Sequence, residues 1–162
     1  MSLPAVPVAQ SPEEKFREYL GSRSKPQRFT GQQRDLVRHV FVQHNHFDAD
    51  LLIDELKAAG LRVSRATVYR TLNKLVDAGL LRRLDLGRRT YFEHDYGYPQ
   101  HEHLVCERCN RIIEFQSPEL DALLREACSQ HRFQSGGHTL IIRGTCAECN
   151  RARTANRRLD LI

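Results

Sequence analysis

Residues 60–79 read GLRVSRATVYRTLNKLVDAG and carry the clearest local structural signal in the chain. Ser64 is a helix-capping residue type and Gly79 a helix-ending one, so the pattern predicts a helix between them. Apolar residues recur within it at helical spacing, which predicts one buried face. They are Val68, Leu72, Leu75 and Val76. The remaining face is polar and cationic, and is therefore available to a partner.

The flanking residues predict a helix-turn-helix with a wing. Asp48 is placed to cap a preceding helix, with Phe47 just before the cap, and Gly60 ends that helix. Two helices joined by the short turn 60–63 form a helix-turn-helix. Residues 81–93, LRRLDLGRRTYFE, then predict two strands around a glycine turn, which make a basic β-wing.

Two earlier helices and a second group of elements surround this motif. Ser11, with proline next and glutamate three residues later, predicts a first helix, and Thr30 is placed to cap a second that ends near 44–45. Beyond residue 100 the pattern predicts strands, then a helix opened by Ser117, then another strand. The predicted strands lie around 104–105, 112–115 and 138–142. Residues Leu120, Leu123, Leu124 and Ala127 share one face of the predicted last helix.

These elements divide the chain into five predicted segments. They are a flexible tail (1–10), a winged-helix domain (11–94), a hinge (95–100), a metal-binding domain (101–150) and a basic tail (151–162). The hinge is assigned because HDYGYPQ combines Gly, Pro and Tyr without periodicity. The fold class is α+β, with an N-terminal winged helix-turn-helix domain followed by a small α/β domain.

The charge is distributed unevenly along the chain. Residues 1–94 contain 16 basic and 11 acidic residues, whereas 95–162 contain 9 of each, so the whole net charge of +5 lies in the N-terminal part. A one-sided basic field is typical of a nucleic-acid-binding half joined to a half with another role. We therefore expect double-stranded DNA as a partner.

Two CxxC pairs predict a structural zinc site. Cys106 and Cys109 form one pair, and Cys146 and Cys149 form the other. Four thiolates complete the tetrahedral shell in which structural zinc is usually held. A redox pair and a disulfide framework are the weaker alternatives, because no thioredoxin-like context and no sign of an oxidising compartment accompany the cysteines. The fifth cysteine, Cys128, is predicted to be a small packing residue.

Other features bound the function. The sequence has no signal-like apolar N-terminus and no run long enough to span a bilayer, which favours the cytoplasm and no membrane partner. A zinc deaminase would combine an HxE motif with PCxxC, and neither is present. We expect no enzyme, no catalytic residues and no small-molecule substrate.

Taken together, the ATVYRTL helix, the HxHxxCxxC run, the IIEF strand and the late CxxC resemble the ferric uptake regulator family. The match runs from about Arg28 to Cys149. The resemblance implies an N-terminal winged helix, a C-terminal α/β dimerisation domain, a structural zinc and a regulatory metal bridging the two. It also implies a homodimer, with pairing of dimers into tetramers left open, that acts as a promoter-binding repressor.

The DNA-contacting residues are assigned partly from this resemblance. It implies that Tyr69 and Arg70 contact bases. The outward positions of Thr67 and Lys74 on the same helix suit the major groove. Basic residues on the wing and around the second helix are expected to neutralise phosphate. They are Arg28, Arg34, Arg88 and Arg89.

The regulatory metal site is also implied by the resemblance, residue by residue. Its members are His46, Glu93, His101, His103 and Glu114. Alternation along an extended segment would place His101 and His103 on one side. A third site in some relatives corresponds to Glu102, Asp121 and His138 here. Gln100 replaces the usual histidine of that site, which predicts that it is weakened or absent.

The metal that is sensed is expected to be Fe²⁺. A mixed nitrogen and oxygen ligand set suits Fe²⁺, Mn²⁺ or Zn²⁺. Zinc sensors of the family commonly place a cysteine in this site, and peroxide sensors favour aspartate where Glu93 and Glu114 stand. Two alternatives stay open. One is a zinc- or peroxide/manganese-responsive member, and the other is a metal-independent zinc-ribbon module that binds nucleic acid.

Overall fold

The computed structural model describes residues 6–42, 46–86 and 89–151. The chain folds as two units, with the boundary between Pro99 and Gln100. The first unit contains α1 (Pro12–Ser22), α2 (Gly31–Val42), β1 (Phe47–Asp48), α3 (Ala49–Ala58), α4 (Arg65–Asp77), β2 (Leu81–Leu86) and β3 (Arg89–His94). The second contains β4 (Glu102–Cys106), β5 (Ile112–Phe115), α5 (Pro118–Gln130) and β6 (Ile141–Gly144). The predicted α+β class is confirmed.

Side chains at the helix starts fix where the helices begin. The Ser11 hydroxyl accepts from Glu14 N at 3.2 Å, and the Glu14 carboxylate accepts from Ser11 N at 2.8 Å, which makes a capping box. Asp48 and Ser64 accept from the third residue after them, at 2.7 and 3.1 Å. These caps satisfy backbone N–H groups that have no partner inside the helix. The predicted starts of α1, α3 and α4 are confirmed.

The core of the first unit lies between the helices and one face of a small sheet. The predicted inward residues of α4 follow that expectation, since Val68, Leu72 and Leu75 are fully buried. Gly60 and Gly79 end α3 and α4 with φ of +75° and +63°, a conformation that side chains with a Cβ rarely adopt. The helix-turn-helix is therefore anchored by its apolar face, and its other face stays outward.

The sheet of this unit has the order β1-β3-β2, and all its pairs are antiparallel. The wing strands β2 and β3 match the prediction, whereas β1 is a strand that the sequence did not predict. Phe47 of β1 pairs with Phe92 of β3, and both residues are buried. Two residues are too few to produce an alternating pattern, so only the long-range partner reveals this strand.

The second unit is built on the sheet β5-β4-β6. β4 pairs antiparallel with β5 and parallel with β6. α5 crosses between β5 and β6, but in the described part of the chain it buries none of its residues. Leu123, which the sequence places on the apolar face, is 63% exposed. The apolar face of α5 exists as predicted, but its burial is not achieved within one chain.

The last strand begins later than predicted. The sequence indicates 138–142, whereas β6 spans Ile141–Gly144. Side chains replace the strand ladder just before it: Gln100 Nε2 donates to His138 O at 3.0 Å, and Leu140 N donates to the Glu102 carboxylate at 3.2 Å. Residues 138–140 are therefore held mainly by side chains, and His103 N adds one backbone bond to Leu140 O at 3.1 Å.

Part of the predicted N-terminal tail contacts the first unit. Val6 N donates to Gly97 O at 2.8 Å, and the Tyr96 hydroxyl donates to Gln10 O at 3.2 Å. The Lys15 ammonium lies 3.8 Å from the centre of the Tyr96 ring. Residues 6–10 thus lie along the start of the predicted hinge. The rest of that tail, and nearly all of the predicted C-terminal tail, fall outside the described residues.

A helix that crosses a bilayer must be both long and apolar. None of the helices in the described ranges combines these two properties.

Candidate metal centres and DNA-binding face

The four cysteines of the CxxC pairs meet at one end of the second unit. Cys106 ends β4, and the parallel pairing of β4 with β6 brings Cys146 beside it. All four sulfurs lie within 4.8 Å of one another, and those of Cys109 and Cys146 are 3.8 Å apart. Tetrahedral zinc with bonds of about 2.3 Å separates its sulfurs by about 3.8 Å. The cluster therefore fits a structural zinc.

The backbone around the cluster favours ionisation of one thiol. Backbone N–H groups of Cys146 and Cys109 point at the Cys106 sulfur and lower the pKa of this thiol to about 6. The nearby sulfurs of Cys109 and Cys146 have the opposite effect on Cys149 and raise its pKa to about 12. The lowered pKa of Cys106 favours its thiolate, which is the form that binds metal.

An ion pair links the two cysteine turns. Arg111 Nη1 donates to Glu148 Oε1 and Arg111 Nη2 to Glu148 Oε2, each at 2.6 Å. Arg108 Nη1 donates to Cys149 O at 3.3 Å. Sequence reasoning missed these contacts, because a basic residue beside a cysteine gives no signal of a partner 37 positions away.

The predicted regulatory residues of the first unit form a close pair. His46 precedes β1, and the register of β1 on β3 places it opposite Glu93. His46 Nε2 and Glu93 Oε2 lie 2.8 Å apart, and Arg82 Nη1 lies 3.8 Å from the other Glu93 oxygen. One imidazole and one carboxylate are thus held together by the unpredicted strand β1.

The predicted regulatory residues of the second unit lie in β4, in β5 and just before β4. The ring centres of His101 and His103 are 4.9 Å apart, and Glu114 is the direct register partner of His103. Opposed residues in an antiparallel pair have Cβ atoms about 4.5–5.5 Å apart. The two imidazoles are therefore close enough to serve a common ion, and Glu114 stands beside one of them.

The three residues of the predicted third site also come together. Glu102, Asp121 and His138 each offer a ligand atom within 4.8 Å of the others. Glu102 is 2% exposed, and its Oε1 lies 2.6 Å from His138 Nε2. Gln100, which replaces the histidine of relatives, instead donates its side-chain amide to the backbone at His138.

The predicted DNA-contacting residues that the structure describes differ in their exposure. Tyr69 and Arg70 are exposed on α4, while Thr67 and Lys74 are half-buried. Lys74 Nζ donates to Gln27 Oε1 at 2.5 Å, and burial lowers the pKa of its ammonium. Arg28 and Arg89 are exposed, whereas Arg34 is half-buried, 3.9 Å from Glu13. Arg88 lies outside the described residues.

A sequence model of the ferric uptake regulator family matches residues 25–143. The chain belongs to the ferric uptake regulator family. Members of this family are metal-dependent transcription regulators, not enzymes, and they bind DNA, typically as dimers.

Individual family members show the same relationship. The ferric uptake regulation protein of Campylobacter jejuni is 31% identical over 139 residues, covering 85% of this chain and 87% of the relative. The peroxide-responsive repressor PerR of Staphylococcus aureus is 30% identical over 141 residues, covering 86% and 95%. The ferric uptake regulator of Francisella tularensis, solved with iron, aligns with a TM-score of 0.68 and 28% identity, covering 79% of this chain and 98% of that one. Similarity of this degree extends to regulators with different signals.

Proposed function

We propose that this chain is an iron-responsive repressor that binds promoter DNA when its regulatory site holds Fe²⁺. The observation that carries the proposal is the arrangement within each unit: His46 with Glu93 in the first, and His101 with His103 and Glu114 in the second. Each unit offers an incomplete set of nitrogen and oxygen ligands of the same type. A single ion that draws on both sets would restrain the hinge at residues 95–100.

The ligand chemistry admits Fe²⁺ and two rival ions, and the choice among them rests on the residues that are absent or replaced. Three imidazoles and two carboxylates suit Fe²⁺, Mn²⁺ and Zn²⁺ alike. The proposed set contains no cysteine, which separates it from the zinc sensors that the family resemblance describes. Its acids are glutamates at 93 and 114, where peroxide sensors favour aspartate.

Coupling of metal to DNA follows from the geometry of a dimer. The two winged helices of a dimer must meet two half-sites at once, so a dimer whose wings are seldom aligned binds weakly. The bound ion would hold its ligand side chains in a fixed geometry. The hinge angle would then be fixed as well. Thr67, Tyr69, Arg70 and Lys74 would then face the major groove, and Arg28, Arg34, Arg88 and Arg89 would face phosphates.

The other two metal sites would have different roles. Cys106, Cys109, Cys146 and Cys149 would hold a permanent zinc that closes the end of the second unit. Glu102, Asp121 and His138 would bind a further ion only weakly, because Gln100 is committed to the backbone of His138.

A metal titration tests this function. In air, Mn²⁺ serves as the stand-in for Fe²⁺. We expect the Mn²⁺-loaded chain, with its zinc intact, to select a duplex from a randomised DNA pool. After the exchangeable metal is removed, the chain should bind that duplex 5–150-fold more weakly. Fluorescence anisotropy measures the affinity, and Fe²⁺, Mn²⁺ and Zn²⁺ are then compared without oxygen. Selection of a duplex without exchangeable metal would favour the zinc-ribbon module. If Zn²⁺ raised the DNA affinity at a free concentration too low for Fe²⁺ or Mn²⁺ to act, a zinc sensor would be favoured.

An apolar row in the second unit supports a homodimer. Leu104 lies between Ile113 and Ile142 in register across the three strands, and these side chains are 37%, 42% and 47% exposed. An exposed apolar row of this kind is typical of an interface. The uncovered face of α5 adds to it.

Substitution within this row should therefore break the dimer. We expect Ile113→Glu to halve the mass measured by light scattering, because burying a carboxylate in an apolar interface is costly. Val42→Glu changes a 78%-exposed residue of the first unit and should leave the mass unchanged. Circular dichroism checks that both variants are folded. A folded Ile113→Glu chain of unchanged mass would place the interface elsewhere.

A further inference from the structure

Asp50, in the first turn of α3, contacts two residues of α4. Its Oδ1 accepts a hydrogen bond from Arg65 Nη2 at 2.6 Å and one from the Tyr69 hydroxyl at 3.2 Å. Tyr69 is 43% exposed, so its ring is presented to solvent while its hydroxyl is held. One carboxylate oxygen thus sets the direction of two side chains on the helix that we propose enters the major groove.

The neighbouring acid extends the same arrangement to the wing. Asp48 caps α3 through one oxygen and accepts from Arg89 Nη1 at 3.2 Å through the other. Asp50 and Asp48 lie along a hollow of about 800 Å³ that is bounded by α3, α4 and β3. The start of α3 therefore contacts both elements that carry candidate DNA-contacting residues.

A carboxylate at this position has two physical effects on DNA binding. Its charge reduces the attraction of the face for phosphate, which is the source of non-specific affinity. Its hydrogen bonds restrict the ring of Tyr69 and the guanidinium of Arg65 before any DNA arrives. Side chains that are already oriented lose less entropy on binding one correct sequence.

We propose that Asp50 is a specificity-determining residue, which positions Tyr69 for base contact and withholds Arg65 from phosphates. This role of Asp50 rests on the proposed function, since Asp50 belongs to the DNA-binding face of the same regulator. Asp50 acts through Tyr69 and Arg65 and is a positioning residue. When it is removed, Arg65 becomes one more cation that any duplex attracts, and Tyr69 loses its fixed direction.

The exposure of the Asp50–Arg65 ion pair argues against a role in folding stability alone. The Asp50 and Arg65 side chains are 64% and 63% exposed, and ion pairs in such positions contribute little to folding stability. The discriminating measurement is therefore the ratio of affinities for two duplexes, which a change in stability alone does not alter.

The test compares Asp50→Ala with Asp54→Ala. Asp54 lies one turn further along α3 on the same hollow and carries the same charge, but it is paired with Lys57 of its own helix. The probes are the duplex selected by the Mn²⁺-loaded wild-type chain and a scrambled duplex of equal composition. Anisotropy titrations over a salt series measure both dissociation constants, and thermal unfolding checks the fold of each variant.

We expect Asp50→Ala to lower the ratio of scrambled to selected dissociation constants about tenfold, as is typical for one misplaced base contact. The logarithmic salt slope should steepen by about one, because one additional phosphate is neutralised. Asp50→Glu, which restores the carboxylate, should recover part of the ratio. Tyr69→Phe should lower the ratio less when Asp50 is already alanine, because the two changes remove the same contact.

The outcomes separate the two proposals. Equal ratios and slopes for Asp50→Ala and Asp54→Ala, in a wild-type chain that does discriminate, overturn the role of Asp50 and leave the regulator intact. A wild-type chain that selects no duplex from the pool overturns the proposed function and the role of Asp50 with it.

Discussion

Replacing Cys109 by serine should remove the zinc from the second unit and unfold that unit. Serine cannot supply the thiolate, and three ligands do not close a tetrahedral structural site. Apparent zinc binding in small structural sites contributes about 10–16 kcal/mol at neutral pH, more than a domain of this size can replace. Elemental analysis measures the zinc, and circular dichroism with proteolysis measures the loss of structure.

The matched control is Cys128→Ser on α5. Cys128 is the one cysteine that does not belong to the sulfur cluster, so its variant should keep one zinc per chain and the wild-type unfolding profile. If Cys109→Ser kept one zinc per chain and stayed folded, the sulfur cluster would not be what holds the second unit together.

A chain with both His101 and His103 changed to alanine should bind the selected duplex equally with and without added Mn²⁺. The affinity of the wild-type chain for the duplex is expected to rise 5–150-fold when metal is added, which is the usual range of coupling between two sites. Loss of two imidazoles leaves the second unit with Glu114 alone from the proposed set. The measurement is the ratio of dissociation constants with and without metal.

The control for this variant is His131→Ala, which changes an exposed histidine at the end of α5. It should retain the full metal response. A double variant that still responds to Mn²⁺ like the control would move the regulatory site away from these histidines. The zinc content of each protein must stay at one per chain, so that the two metal effects are not confused.

Local sequence signals predicted most of the fold correctly, because they act over a few residues. Ser11, Asp48 and Ser64 cap their helices through bonds to residues three positions on. The apolar spacing in α4 predicted which residues are buried. These interactions are completed inside single elements, so no knowledge of the tertiary structure is required.

The errors arose where the decisive partner lies far along the chain. β1 exists because Phe47 meets Phe92, and β6 starts late because Gln100 and Glu102 bind the backbone of residues 138–140. The apolar face of α5, which the sequence did predict, stays uncovered within the described part of one chain. A helical pattern identifies an apolar face, but it does not say whether the same chain covers it.

Candidate site residues were predicted as groups, whereas their supporting contacts were not. The cysteine spacing indicated four ligands, but not the link between Arg111 and Glu148. The pattern of α4 indicated an outward polar face, but not the carboxylate of Asp50 that holds Tyr69. Such contacts join elements that are brought together only by folding.

The parallel pairing of β4 with β6 also has a consequence for biosynthesis. The first cysteine pair is synthesised before its partner pair, since Cys146 follows Cys109 by 37 residues. At about 5–20 residues per second the nascent chain carries two unshielded thiols for a few seconds. Oxidants and stray metals meet the newly made protein during this interval, before its own second pair arrives.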